Sequence, residues 1–565
     1  MAKAPPLAGL LAAMLAGLGE GVSKEEEARA VNTGVSIMLL GSVGFMMGLF
    51  YLVNQKDNEL RKYSWMVISA TISIFSAVLL FQAVNGVVEA YVLGEHPSEM
   101  FELFVSMAHF LAWFMFLQVV LGVLSGARLS SRRRPATAQD RRTTEHNLKT
   151  GGILLGHLAG FAAINAFGVL QSQLPRTFLC ALLCFPIAWG CIYSLSRMTQ
   201  AIRKSVALRD GTEDEYEKKW DEEAAETEND VTGLAVSFMM VQALRLLIGG
   251  TLPNPEGEEP EDVQSSHSDQ QVWLLCSVGL VFVLLEVLRV VNFPWREGWL
   301  TERLLPQLKN IVAMDYAWCV FFSSRWFVAA HFFAGAGGMM QEITVALWVT
   351  AVALALIFLL DKIEDLEPTD LAISSACRAV IQAISVLIGF SWEKAFDTAV
   401  ADFTKAVTFF PHPLTKLVLA LLLALLVVPA WRMHILPCVL AFEEEEEEEE
   451  EQQQEQAAEA AAAERVPALG LVGDGAAASR PLLEKKVAVQ RSHSMVGIDA
   501  PTLQRKCRAY KAQVRELERQ LASGASPAGP RRGELEQRNK QLEAALAGIS
   551  HDLADLQQLA GVLAA

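Results

Sequence analysis

The chain has 565 residues, 52% of them hydrophobic, with a mean hydropathy of +0.29 and a net charge of −17. The acidic balance argues against nucleic acid as a partner. The many long apolar runs argue against a soluble protein, because about 20 apolar residues suffice to span a bilayer. The expected class is all-α: a polytopic transmembrane helix bundle of about 11 spans with a C-terminal cytosolic coiled coil.

Residues 1–32 read as an N-terminal leader, with Lys3 ahead of a short Ala/Gly-rich apolar run that fits a weak signal sequence or an amphipathic or disordered segment. Residues 33–198 form a first transmembrane bundle with spans at 33–54, 64–92, 100–127, 151–172 and 176–198. A charged cytosolic loop is expected at 199–231. A second bundle at 232–437 follows, with spans at 232–252, 272–293, 310–334, 342–361, 371–390 and 414–437. Residues 438–500 read as an acidic run and disordered linker, since nine consecutive Glu at 443–451 repel one another and Gly, Ala, Pro and Ser dominate beyond Val466.

Loop charge sets an orientation. The first, third, fifth and seventh loops carry Lys and Arg, including Lys56, Arg61, Arg132, Arg133, Arg134, Arg203, Lys204 and Arg296. The second, sixth and eighth carry none, and the fourth only Arg176. By the positive-inside rule the N-terminus lies outside and the C-terminus in the cytosol. The acidic loop from Glu256 to Asp269 is then external and reads as a solvated loop, with weak gathering of cations as the alternative.

Small residues mark packing faces: Gly152, Gly156, Gly160 and Gly168 in the fourth span, Gly44 and Gly48 in the first, Gly122 and Gly126 in the third. A faint echo joins Tyr63/Trp65 to Tyr316/Trp318 and suggests parallel repeats of spans one to five and seven to eleven, with the sixth as linker. The cysteines form no CxxC pair and read as small buried hydrophobes, with no cofactor or metal expected.

Residues 501–565 show heptads in two blocks. In the longer one Leu535, Asn539, Leu542, Leu546, Ile549, Leu553, Leu556 and Leu563 lie on one alternating 4/3 seam, with Asn539 at a position where Asn fixes register. Pairing between chains, hence a homo-oligomer, is the expected use. A cytosolic partner of the tail is the other.

Within the spans the most informative stretch is Leu371–Phe390, where Ser375, Arg378, Gln382, Ser385 and Gly389 share one helical face. An Arg at mid-bilayer costs roughly 2.5–3.5 kcal/mol or more, so this lane is expected to turn inward, with Asp315, Glu89 or Glu286 as partner of Arg378. Arg245, Arg325 and Asp315 are further candidates along a transport lane. Gln82, Asn85 and Glu89 share one face of the second span, and His109, His157, Asn165 and the Glu286–Arg289 pair complete the intramembrane polar set. HExxH, GxSxG, P-loop, EF-hand and K⁺-filter motifs are missing, so a non-enzyme is expected. The leading expectation is a channel or secondary transporter for an ion or small solute. The alternative is a non-transporting membrane scaffold that presents the coiled coil and acidic tail.

Overall fold

The computed structural model describes residues 24–442 except 95, 127–137, 209–214, 293–298, 333–337, 365–370 and 407–409. The first 23 residues, the acidic run, the linker and both heptad blocks lie outside the described residues, as do the side chains of Glu286, Arg289, Ser375 and Arg378.

Twelve helices follow in order among the described residues: α1 Lys24–Val53, α2 Asn58–Val88, α3 Glu99–Leu124, α4 Ala138–Gln173, α5 Phe178–Ala207, α6 Glu215–Gly249, α7 Glu261–Ser265, α8 Asp269–Asn292, α9 Trp299–Phe332, α10 Met339–Glu364, α11 Leu371–Ala406 and α12 His412–Ala430. A π-helical turn extends α2 through Glu89–Leu93, and another extends α12 through Trp431–Ile435. Starts are chemically marked. The Ser98 side chain accepts from the Phe101 N–H at the head of α3, and Thr177 accepts from Cys180 at the head of α5, satisfying N–H groups that the helix leaves open.

A helix coincides with each of the eleven predicted spans. Among the described residues seven are long and apolar enough to cross a membrane: Leu60–Leu93, Glu99–Leu124, Arg142–Gln173, Phe178–Ala207, Tyr216–Gly249, Met339–Leu360 and His412–Phe442. Within α1 and α8 the described apolar stretches, Leu39–Val53 and Asp269–Leu285, are shorter. Helix α9 belongs to neither group, and the side chains of α11 at 371–376, 378 and 379 lie outside the described residues. In α9, 313–326 is buried without a break, so Asp315 and Arg325 are shielded by protein rather than by apolar flanks.

Burial separates an inner from an outer ring. In the most apolar stretches of α6 and α4, 78% and 72% of residues are buried, against 17% in α12, 22% in α5 and 28% in α3. The outer helices leave Leu422, Leu425, Leu426, Phe104, Val119 and Leu183 exposed, a surface that calls for an apolar medium. At the centre α6 packs on α4, α5 and α9, and α11 packs on α2, α9 and α10. The sixth span is therefore a core helix. The two helices bearing the Tyr-x-Trp echo, α2 and α9, both pack on α11, and Tyr63 and Tyr316 lie in one buried cluster.

The glycine face of α4 lies where the spacing places it. A Cβ on Gly156 would come within 2.8 Å of Thr227, and one on Gly160 within 2.8 Å of Leu234, both on α6. Gly44 and Gly48, by contrast, meet nothing within 4 Å.

The stretch 199–231 is largely helix, not loop: α5 runs on to Ala207 and α6 begins at Glu215. Its charges neutralise one another. Buried Arg203 donates to Asp221 at 2.9 Å and to Glu228 at 2.6 Å, while Gln118 and Thr199 donate to Glu228 at 3.0 and 2.8 Å. Lys149 pairs with Glu226 at 2.7 Å and Lys219 with Glu145 at 2.8 Å.

Helices α2 and α11 cross at Gly389, where an added Cβ would stand 2.9 Å from the Thr71 Cα. Backbone cannot swing aside as a side-chain tip can, so Gly389→Ala is expected to destabilise by about 1–3 kcal/mol. Gly190→Ala, with nothing within 4 Å, is the neutral control. Thermal unfolding of the detergent-solubilised protein measures both, and equal midpoints would refute the close crossing.

Candidate functional site

The loop after α6 organises the site. Asn254 begins a tight turn: its side-chain oxygen accepts from the N–H groups of Glu256 at 3.1 Å and Glu258 at 2.7 Å, as an Asx residue does when it nucleates a turn. Gly257 sits at φ +84°, and a Cβ there would lie 2.8 Å from the Phe238 ring. The turn thus presses into the bundle, with Pro255 against Gly168 of α4. The turn is therefore packed into the bundle at Gly257 and Glu259, where a plain solvated loop was expected.

Arg245 holds the loop down. Its guanidinium pairs with Glu259 at 2.8 Å, donates to Gln242 at 2.7 Å and to the Gly257 carbonyl at 2.9 Å, and lies 3.7 Å from the Phe322 ring centre. The other Glu259 oxygen accepts from the Trp326 indole at 2.8 Å and lies 3.2 Å from His267, whose ring stacks on Trp326. Burial alone would raise the Glu259 carboxyl, but Arg245 and the His267 and Trp326 donors hold it below the usual carboxylate range.

Beside this anchor three cavities share walls, and Glu256 lines all of them. The largest, about 600 Å³, lies between α2, α11 and α12 and is lined by Gln82, Asn85, Glu89, Asp397, His412 and Lys416. A second, about 200 Å³, adds Glu102, His109, Asn165 and Asn254. The third, about 30 Å³, is floored by Phe81, Phe161, Phe238, Trp318 and Phe390 and reaches Lys394. Together they form a polar vestibule ending on aromatic rings. Glu256 and Glu258 are each 42% exposed, so water enters, whereas Lys394 is only 8% exposed.

The charges in the vestibule interlock across elements. Lys394 of α11 lies 3.2 Å from Glu258 and 3.9 Å from Glu256. Its ammonium holds the Glu258 carboxyl below the usual range against the opposing effect of burial. Lys416 pairs with Asp397 at 2.5 Å. With its amide nitrogen turned toward the carboxylates, Gln82 donates to Asp397 at 2.8 Å and to Glu393 at 3.1 Å. Asn85 donates to Glu89 at 2.8 Å.

The predicted site residues divide. Gln82, Asn85 and Glu89, one face of α2 in the sequence, line the vestibule together with His109 and Asn165. Arg245 and Arg325 are deep but paired, the latter with Glu342 of α10. Asp315 is buried, with one oxygen lacking a hydrogen-bond partner. Ser385 is buried and donates to the Ile381 carbonyl at 2.7 Å, on its own helix. Gln382 is exposed, contrary to a lane turned inward along its whole length. It lies two turns before the α2–α11 crossing at Gly389, where no described helix covers it. The lane does turn inward further on: four-residue steps from Gly389 reach Glu393 and Asp397, both beside Gln82. These two, with Lys394 and Lys416, were not singled out in sequence, whereas Glu256 and Glu258 belong to the acidic loop noted there for a weak gathering of cations. The signal was present as i, i+4 carboxylates just past the apolar stretch.

No protein-family model, curated protein or solved structure matches the chain.

Removing one partner of a buried ion pair strands the other charge, at about 3–5 kcal/mol. Arg245→Met and Glu259→Leu are each expected to lose that much, and the double variant less than the sum. Chemical unfolding in detergent completes the cycle, and strictly additive losses would show that the pair does not hold the loop.

Proposed function

We propose that this is an integral membrane protein that moves a small solute or ion across the bilayer and takes it up in the vestibule described above. Its apolar helices support a bilayer environment. The observation that carries the reading is a water-accessible polar cavity, lined by Gln82, Glu256 and Asp397, that reaches the buried Lys394 on a central helix, α11, with Glu393 buried beside Gln82. Transporters place their binding groups in such a position, between packed helices and away from lipid. Under the orientation set by loop charge, the vestibule opens on the side away from the cytosol. The aromatic floor then closes the path inward.

The scaffold alternative draws support from a different observation. Arg203, Arg245 and Arg325 are each paired off in dry surroundings, as a purely structural bundle requires. We assign these three to holding the bundle together and the vestibule to the solute.

Capacitive-current and tracer measurements on proteoliposomes, across a panel of inorganic ions and small organic solutes, separate the readings. The native chain is expected to give flux that Glu393→Gln and Asp397→Asn reduce by about tenfold, a loss of roughly 1.4 kcal/mol in transition-state terms. Arg378→Ala tests the remaining lane residue in the same assay. A native protein silent across the panel supports the scaffold.

The tail belongs to the same proposal. The seam from Leu535 to Leu563 pairs between copies and makes a homo-oligomer. Leu546→Asp with Leu553→Asp is expected to lower the mass measured by light scattering to that of a monomer. An unchanged mass would place the subunit contact elsewhere.

A further inference from the structure

We propose that the vestibule takes an organic ammonium: a small amine or methylated ammonium whose cation faces Glu256, Glu393 and Asp397 and whose carbon groups rest on the aromatic floor. The proposal rests on reading the vestibule as a solute site and names the class of solute.

The first argument is charge balance. Glu89, Glu102, Glu256 and Asp397 line the cavities, Glu258 and Glu393 stand beside the lining residues Lys394 and Gln82, and Lys394 and Lys416 are the basic groups paired among them. Both ammonium groups are already committed to carboxylates, Lys394 to Glu258 and Glu256, Lys416 to Asp397. Neither is left to greet an anion. The surplus is acidic and partly withdrawn from water, a condition that favours a bound cation.

The second argument is an unfilled valence. Glu393 is 0% exposed, and its Oε2 has no hydrogen-bond partner. Its surroundings are those of the vestibule: Gln82 on Oε1, and the charges of Asp397, Lys394, Lys416 and Glu256. A buried carboxylate oxygen left in this way costs free energy until a donor arrives.

Size and shape select the kind of cation. No three His, Cys, Asp or Glu side chains among the described residues converge as a metal site would require. The carboxylates are instead spread over cavities of about 600 and 200 Å³, room for a molecule of several heavy atoms. The adjoining cavity of about 30 Å³ is floored by aromatic rings, and ring faces attract ammonium groups. The protein displays this geometry with its own side chain, since Lys394 Nζ lies 5.8 Å from the Phe390 ring centre while paired with Glu258.

Direct binding tests this separately from transport. Isothermal titration of the full chain in nanodiscs, at constant ionic strength, would use methylammonium, tetramethylammonium and choline. Neopentyl alcohol, acetate and Na⁺ are the neutral, anionic and inorganic controls. At least one ammonium probe is expected to bind, and the controls are not. Glu393→Gln and Glu256→Gln are each expected to weaken that binding by about tenfold or more. Lys416→Met, which removes a competing positive charge, is expected to strengthen it, an effect that a misfolded protein does not produce. The inference is overturned if no ammonium probe binds the native chain, if Na⁺ binds equally well, or if both carboxylate variants bind as the native chain does. Flux of another solute without ammonium binding overturns this inference and leaves the transport reading standing. Ammonium binding without flux supports the site and overturns transport.

Discussion

The fold turns on the ion pair between Arg245 and Glu259. A guanidinium does not shed its proton, so an arginine fully buried near the end of a core helix has to be met by a carboxylate and by oxygen acceptors. The chain meets that demand by folding the loop after α6 back into the bundle, where Glu259 and the Gly257 carbonyl reach the guanidinium. Everything else on the loop follows from that placement. Pro255 is pressed against Gly168, and Glu256 and Glu258 are carried to within reach of Lys394. A structural pair thereby builds one wall of the vestibule.

Aromatic rings join the anchor to the vestibule. Phe322, against Arg245, lies 5.9 Å from Trp318, and Trp318 lies 5.1 Å from Phe390, which in turn borders Lys394. Phe161 stacks on Phe390 at 5.8 Å from the α4 side. Cations therefore sit at both ends of one ring cluster, each also paired with a carboxylate of the same loop. Ring faces suit that arrangement because their quadrupole is negative there, and large rigid side chains leave little room for repacking. The floor is thus well suited to hold the vestibule's shape, and any passage through it requires these rings to move.

Two kinds of buried charge coexist. Arg203 with Glu228, and Arg325 with Glu342, are sealed between helices where water is scarce, and their role is complete once paired. Such pairs contribute specificity of packing more than net stability, because desolvation offsets most of their attraction. The vestibule groups differ in kind: several carboxylates remain beyond what Lys394 and Lys416 balance, in contact with water. That contrast between satisfied and unsatisfied charge divides the buried groups more sharply than their depth in the bundle does.

The apolar runs alone were enough to place a helix at all eleven predicted spans, because a stretch that cannot face water without cost is recognisable from composition and the backbone must satisfy itself inside it. The α4 glycine face and the common face of Gln82, Asn85 and Glu89 were equally legible, since both depend only on the 3.6-residue repeat within one helix. What no single helix encodes is which face finds cover. Gln382 and Glu393 lie on the same side of α11, yet one is exposed and the other wholly buried, because α2 crosses between them at Gly389. The acidic loop likewise reads as solvated until Arg245, nine residues before its turn begins at Asn254, is seen to need it. Hydropathy records the cost of exposing each residue; tertiary packing alone settles where the partners that offset the cost of burying a charge will stand.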